Sequence, residues 1–337
     1  MKLALRLLVG LAGLVLFAWF VYRAGVTEIL AAFSKLGWYA PLVLLPFAIV
    51  YLFDTLGWRF AFGKHPGPSF PVLMRIRWAG EAVNSVVPSA YIGGEAVKVY
   101  LLTKRGVPGV IATSSAVTGK IIQTLGQVVF ITLGAFAALT ILPPDSPARY
   151  GIFVVAALGS VIVFMLFQLQ RYGMFTGLLA LARKLKLRLA PLERSEANLR
   201  QLDDRIRNFS RTDPAHFWLS FATYTIGWIC DALEIFLVSY LIGIPLSWTE
   251  AMAVESFTSV AKALGIFVPG ALGIQESGIV LLFHIFGLPE ALGLPYAVIR
   301  RGREVIYALI GALFLHLEHA DVRSLERSTR EQGRAEI

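Results

Sequence analysis

The sequence predicts an all-α polytopic membrane protein with about six transmembrane helices and two broken, re-entrant helix segments in an inverted repeat. Composition is the first reason: 56% of the 337 residues are hydrophobic and 16% charged, with a mean hydropathy of +0.67, too apolar for a water-soluble globule. Apolar runs also recur at about 20 residues, the length a helix needs to cross a bilayer. The third reason is a pair of matching interruptions. Residues 87–96 read V-P-S-A-Y-I-G-G-E-A and residues 268–278 read V-P-G-A-L-G-I-Q-E-S-G, so that Pro88, Ala90 and Glu95 align with Pro269, Ala271 and Glu276. Proline, glycine and a carboxylate are poorly tolerated in a continuous membrane helix. A backbone broken at membrane depth is satisfied only by surrounding protein or a water-filled cavity. Paired interruptions in two halves therefore point to a central site where two broken helices meet, the usual pointer to transport.

The chain, 1–337, reads as a single integral membrane domain. Lys2 and Arg6 precede an apolar run at 3–22; no small-residue cleavage site follows, so this run is expected to remain as the first span rather than leave as a signal peptide. A first repeat over about 39–140 holds a span at 39–62, an interrupted segment at 75–104 and a span at 110–140. A span at 150–170 leads to a basic linker at 171–213. The second repeat, 214–317, holds a span at 214–243, an interrupted segment at 250–287 and a span at 295–317, before a short tail, 318–337, with charges of both signs. If each interrupted segment enters and leaves on one side, three crossings separate the spans at 39–62 and 214–243. An odd number inverts the second unit relative to the first; if each interrupted segment instead crosses fully, the count becomes four and the units are parallel, which the charge tally argues against.

Charge agrees with six crossings. Lys2, Arg6, Arg59, Lys64, Arg75, Arg77, Lys98, Lys104, Arg105, ten bases within 171–211, and Arg323, Arg327, Arg330 and Arg334 share one side. They are 23 of the 31 Lys and Arg, against Arg23, Lys35 and Arg149 on the other side. The positive-inside rule then predicts an N-in, C-in, multi-pass protein of a bacterial inner (cytoplasmic) membrane. In the linker, four acids accompany those ten bases, and Leu199, Leu202, Ile206 and Phe209 recur at helical spacing. That pattern suits an amphipathic helix on the anionic inner leaflet, with a solvated, topology-setting loop as the plainer reading. Asp203 and Asp204 hint at an Asp-rich diphosphate motif, but Arg205 and Arg207 stand where further carboxylates are wanted.

Five bases remain at predicted membrane depth: Lys120, Lys262, Arg300, Arg301 and Arg303. Charges there usually face a cavity or a partner. With Glu81, Glu95, Glu255, Glu276, Asn84, Ser85, Ser89, Gln123, Gln127 and Gln275 they form the candidate lining. A buried arginine beside a broken helix suits a phosphate, because its planar fork pairs two oxygens while exposed helix N-termini add donors. The carboxylates either hold these bases or take up a proton. Plainer readings stand beside these: Glu81 or Glu304 simply pairing an arginine, Arg300 and Arg301 snorkelling at the outer end of the last span, Asp54 meeting a polar neighbour, and the glycines and prolines acting only as kinks.

Enzyme signatures are missing. There is no G-x-S-x-G elbow, H-E-x-x-H, P-loop or G-x-G-x-x-G. The single Cys230 precludes a disulfide framework, and His316 with His319 lacks a third ligand. No catalytic residue, metal, cofactor or nucleic-acid partner is expected.

The strings E-A-V-N-S-V-V-P-S-A-Y-I-G-G-E-A-V-K (81–98), K-I-I-Q-T-L-G-Q (120–127), F-V-P-G-A-L-G-I-Q-E-S-G-I-V-L-L (267–282) and R-R-G-R-E (300–304) resemble the flippase-like membrane family that includes the transmembrane region of lysylphosphatidylglycerol synthases. They look most like its hopanoid-biosynthesis-associated subgroup. The resemblance covers nearly the whole chain and implies a lipid transporter or flippase-like protein whose functional positions include Glu81, Asn84, Pro88, Gly93, Gly94, Glu95, Pro269, Gly273, Glu276 and Arg303; the charges and amides at membrane depth add Lys120, Lys262, Gln275 and Arg300 as site candidates on their own account. The subgroup favours arginine where this chain has Lys262, which keeps the charge but loses the fork. Only about 20 residues follow the last span, too few for the synthases' soluble aminoacyl-transferase domain, so synthase activity is not expected. On this reading Arg303 and Lys262 bind a headgroup, while Glu95 and Glu276 gate or couple. Competing readings are a membrane scaffold that recruits lipid-biosynthesis enzymes and an intramembrane lipid-modifying enzyme.

Overall fold

The computed structural model describes residues 22, 26–87, 92–172, 177, 200, 203–204, 208–209, 211–264 and 271–318, and every regular element among them is helical. Helix α1 (Val26–Leu36) and a 3-10 segment (Gly37–Val43) lead into α2 (Leu44–Ala61). Helices α3 (Phe70–Val86) and α4 (Ile92–Lys104) are the halves of the first interrupted segment, followed by α5 (Gly109–Ile141) and α6 (Ala148–Tyr172). Helices α7 (Pro214–Ile242), α8 (Trp248–Leu264), α9 (Ile274–Ile285) and α10 (Glu290–Leu317) repeat the order of α2 to α5. Among the described residues, Leu30–Ala61, Gly109–Ile141 and Pro214–Ile242 are long and apolar enough to cross a membrane. At 28 residues α10 is about 42 Å long, but it carries Arg300, Arg301, Arg303 and Glu304 in its middle. Pro88, Pro269, the 3–22 span, most of the linker and the tail after Glu318 lie outside the described residues.

The repeat extends beyond the two motifs. Helices α4 and α9 end on the same turn: Gly106 and Gly287 have φ of +83° and +65°, which only glycine adopts without strain. The Val107 N–H donates to the Leu102 carbonyl at 3.1 Å and the Leu288 N–H to the Phe283 carbonyl at 2.9 Å. Pro108 and Pro289 then start the next helix, where a missing N–H costs nothing.

Each interrupted segment doubles back on itself. Gly80 lies against Gly94 and Lys98, and Asn84 against Gly94, so numbers rise on α3 as they fall on α4; Ala261 meets Gly278 and Phe257 meets Phe286, the same antiparallel sense. The approach at Gly94 is so close that a Cβ there would strike the Gly80 carbonyl and the Asn84 side chain. Asn84 Oδ1 in turn accepts the Gly94 N–H at 2.8 Å.

The first helices of the two units also run antiparallel. Ser220 Oγ donates to the Gly57 carbonyl at 2.8 Å, Tyr224 packs on Gly57, and Gly227 packs beside Asp54 and Phe53. The second unit is therefore inverted relative to the first. The last helices are exchanged between units: α10 lies on α3, with Gly311 against the Trp78 carbonyl, and α5 lies on α8, with Gly134 against Ser256.

Two apolar cores sit at opposite ends of the α2/α7 pair. Trp58, Leu73, Ile76, Leu101, Phe217 and Tyr224 anchor the first hairpin; Leu36, Val43, Ile235, Val238, Phe283 and Leu292 anchor the second. Leu133, Phe136, Phe153 and Leu158 point outward, exposed, as a lipid-facing surface requires. In a Cys230→Ala background, Val110→Cys and Ala291→Cys place exposed thiols on the first turns of α5 and α10. A membrane-impermeant thiol reagent is expected to reach them from opposite sides of oriented vesicles. Labelling of both from one side contradicts the inversion.

Candidate functional site

The two cores leave a charged layer between them. A cavity of about 290 Å³ opens there, lined by Phe47, Val50 and Asp54 of α2, Arg77 and Glu81 of α3, Glu95 and Lys98 of α4, Lys120, Gln123, Thr124 and Gln127 of α5, Trp228 and Asp231 of α7, Ser259, Lys262 and Ala263 of α8, and Arg300 of α10. A smaller void of about 40 Å³ shares Phe47, Glu81 and Lys262 and adds, among others, Tyr51, Asn84, Ser85, Arg303 and Glu304. The ends of α3 and α8 that lead into the two breaks thus face the same space.

In the first unit, Arg77 is hydrogen-bonded to Asp54 and lies 4.0 Å from Glu81. Gln123 Nε2 donates to Asp54 at 3.1 Å and itself accepts from Lys120 Nζ at 3.2 Å. Lys98 Nζ donates to Glu95 at 2.7 Å, with the Trp58 ring 5.5 Å away. Asp54 therefore meets both a base and an amide. The positive-inside count places Arg77 and Lys98 in loops, but the structure buries both within helices. Each half of a re-entrant hairpin is short, so its charges reach the interior although they flank apolar runs.

The second unit concentrates its charge on α10. Arg303 donates through Nε and Nη2 to the two carboxylate oxygens of Glu234, at 2.9 and 2.7 Å, and its guanidinium stacks 3.6 Å from the Phe47 ring centre. Arg300 donates to Glu255 at 2.6 Å, which also accepts from Tyr296 OH at 3.0 Å. Arg301 bridges Glu276 and Glu304, each at 2.6 Å, and Gln275 Nε2 donates to Glu304 at 3.1 Å. Lys262 Nζ lies 3.6 Å from Glu304. Arg300 and Arg301, which snorkelling would have placed at an interface, are 2% and 1% exposed and face carboxylates. Burying both partners of a pair gains little over an apolar pair, but losing one partner is expensive.

The structure thus brings Glu81, Glu95, Lys120, Lys262 and Arg300 to one cavity, and Asn84 and Arg303 to the adjoining void. Gln275 and Glu276 stand one layer back, joined to it through Arg301 and Glu304. The Gly273 N–H donates to Glu276 Oε2 at 2.8 Å, so Glu276 caps α9 while it pairs Arg301. Gly93 and Gly94 form the first turn of α4 at the first break. Sequence reasoning passed over Asp231 and Glu234, although their spacing of three puts them on one face of α7. Three arginines in four residues of α10 call for acids on neighbouring helices, and that demand was the available signal. Among the described residues, no group of three or more His, Cys, Asp or Glu side chains is arranged to hold a metal ion.

A layer with mixed charge accepts anionic oxygens at its lysines and hydroxyl or ammonium groups at its carboxylates. The sequence model of the lysylphosphatidylglycerol synthase TM region matches residues 3–311. The UPF0104 membrane protein PH1989 of Pyrococcus horikoshii is 26% identical over 271 residues, covering 77% of this chain and 81% of that protein. No solved structure matches the chain significantly. Because the family match takes in both hairpins and every residue around the cavity, the protein is a membrane protein belonging to the lysylphosphatidylglycerol synthase TM region family.

Proposed function

We propose that the protein moves a polar-headgroup lipid, a phospholipid or a hopanoid, across or between membranes, as a flippase-like transporter without catalytic activity of its own. The headgroup passes through the charged layer between the two hairpins while the tail stays in lipid. The observation that carries this reading is the cavity itself: two inverted hairpins, anchored in separate cores, end on one charged space. Such a pair can open a central site to either face in turn. On this reading the chain sits N-in and C-in in an inner membrane, and the basic linker rests on the anionic leaflet.

Headgroup-labelled phospholipids and hopanoids in proteoliposomes test it. The Glu81 and Lys262 side chains are 30% and 31% exposed, so their charges reach the cavity while the buried pairs stay intact. Glu81→Gln and Lys262→Ala are each expected to slow lipid movement about tenfold or more, equivalent to roughly 1.4 kcal/mol in the barrier, with an unchanged unfolding midpoint. Unchanged movement in both variants would place the path elsewhere. A folded wild type that moves no lipid would favour the scaffold reading instead.

A further inference from the structure

The first unit balances its buried charge: Asp54, Glu81 and Glu95 face Arg77, Lys98 and Lys120. The second does not. Glu234 has Arg303, Glu255 has Arg300, and Glu276 and Glu304 share Arg301 with Lys262 nearby. Asp231 is left over. It is 6% exposed and lines the cavity, and among the described residues it forms no ion pair and its Oδ1 has no hydrogen-bond partner. Within electrostatic reach of it stand Glu234 on its own helix, Glu255 from α8, and Tyr296, Arg300 and Arg303 from α10; Ser259 of α8, Lys120 and Gln123 of α5 and Asp54 of α2 line the same cavity. Arg303 is committed to Glu234 through two hydrogen bonds, and Arg300 donates to Glu255 through Nη1, its Nε without a hydrogen-bond partner among the described residues. An anion buried without a partner is strongly disfavoured, and binding a proton removes that penalty.

We propose that Asp231 is a proton-binding site of the cavity, taking a proton from water on one face and returning it to water on the other as the hairpins alternate, so that a proton gradient drives lipid movement. The coupling rests on the transport reading above; proton binding itself does not. Glu95 and Glu276, held by Lys98 and Arg301, then have gating or capping roles, and the exchangeable proton is carried on α7.

Infrared difference spectra of the reconstituted full chain read the proton directly. A carbonyl band of a protonated carboxylic acid is expected in the wild type. It should shift in heavy water, disappear as pH is raised, and be lost in Asp231→Asn. No such band at any pH, or its persistence in Asp231→Asn, overturns the site. So does a wild type without the band whose unfolding midpoint rises with sodium, since a metal cation then fills the place of the proton. Asparagine matches the neutral acid in shape, and the wild-type pH titration needs no variant at all. In proteoliposomes, an imposed pH gradient is expected to accelerate lipid movement by the wild type, and Asp231→Asn to lose that acceleration whatever its basal rate. An equal acceleration in the variant overturns the coupling. If the wild type moves no lipid, the transport reading fails while the infrared band still decides the proton site.

Discussion

Glu234→Gln is expected to lower stability by about 3–5 kcal/mol. Both Glu234 and Arg303 have side chains 1% exposed, and they are joined by two hydrogen bonds. The variant leaves a guanidinium buried against Phe47 and one neutral amide. Thermal unfolding in a fixed detergent measures the loss, and the double variant Glu234→Gln/Arg303→Met is expected to recover much of it because no charge is stranded. A wild-type midpoint for the single variant would mean that this pair does not hold α7 to α10. The same reasoning bears on Arg303→Ala, which strands Glu234 in its place. Failed lipid movement in that variant would report a damaged fold before it reported a lost headgroup contact.

Gly94→Val is expected to be strongly damaging. A single added carbon already meets the Gly80 carbonyl, and backbone on the facing helix has nowhere to retreat. Overpacking of this kind costs about 1–3 kcal/mol, and displacing Asn84 from the Gly94 N–H adds about 1 kcal/mol. The variant should therefore show a lower unfolding midpoint and slower lipid movement together. Gly151→Val is the matched control: it lies exposed on α6 with nothing within 4 Å of its added carbon, and its midpoint should stay within about 0.5 kcal/mol of wild type. Equal effects at the two sites would remove the tight hairpin as the cause.

The helical order and the two breaks were legible because they depend on local chemistry. Proline, glycine and a carboxylate inside an apolar run mark a break whatever packs around it. The inversion followed from counting crossings, and the antiparallel contacts of Gly57 and Gly227 with the facing helices agree with it. The repeated G-V-P and G-L-P turns at Gly106 and Gly287 were equally local and were passed over. What sequence could not supply was partner choice. Asp54 reaches Arg77 across 23 positions and Glu234 reaches Arg303 across 69, and no periodicity encodes such pairs. Arg77 and Lys98 look like loop charges because a re-entrant half-helix is too short to read as a span. Asp231 and Glu234 vanish inside a run whose average is apolar.

The exchange of last helices has a consequence for the order in which the molecule is made. Helix α3, with Arg77 and Glu81 on it, is synthesised early, yet the helix that covers it is α10, the last one described. Likewise α5 leaves the ribosome long before α8, the surface it is shaped to fit. Neither half can complete its interior alone: the early half carries partners for its own charges, but Arg77 and Glu81 sit on a hairpin whose cover has not yet been made. The insertion machinery has to shelter that uncovered face for most of the time of synthesis, and a chain stopped before α10 leaves the first hairpin uncovered rather than yielding a stable half-protein.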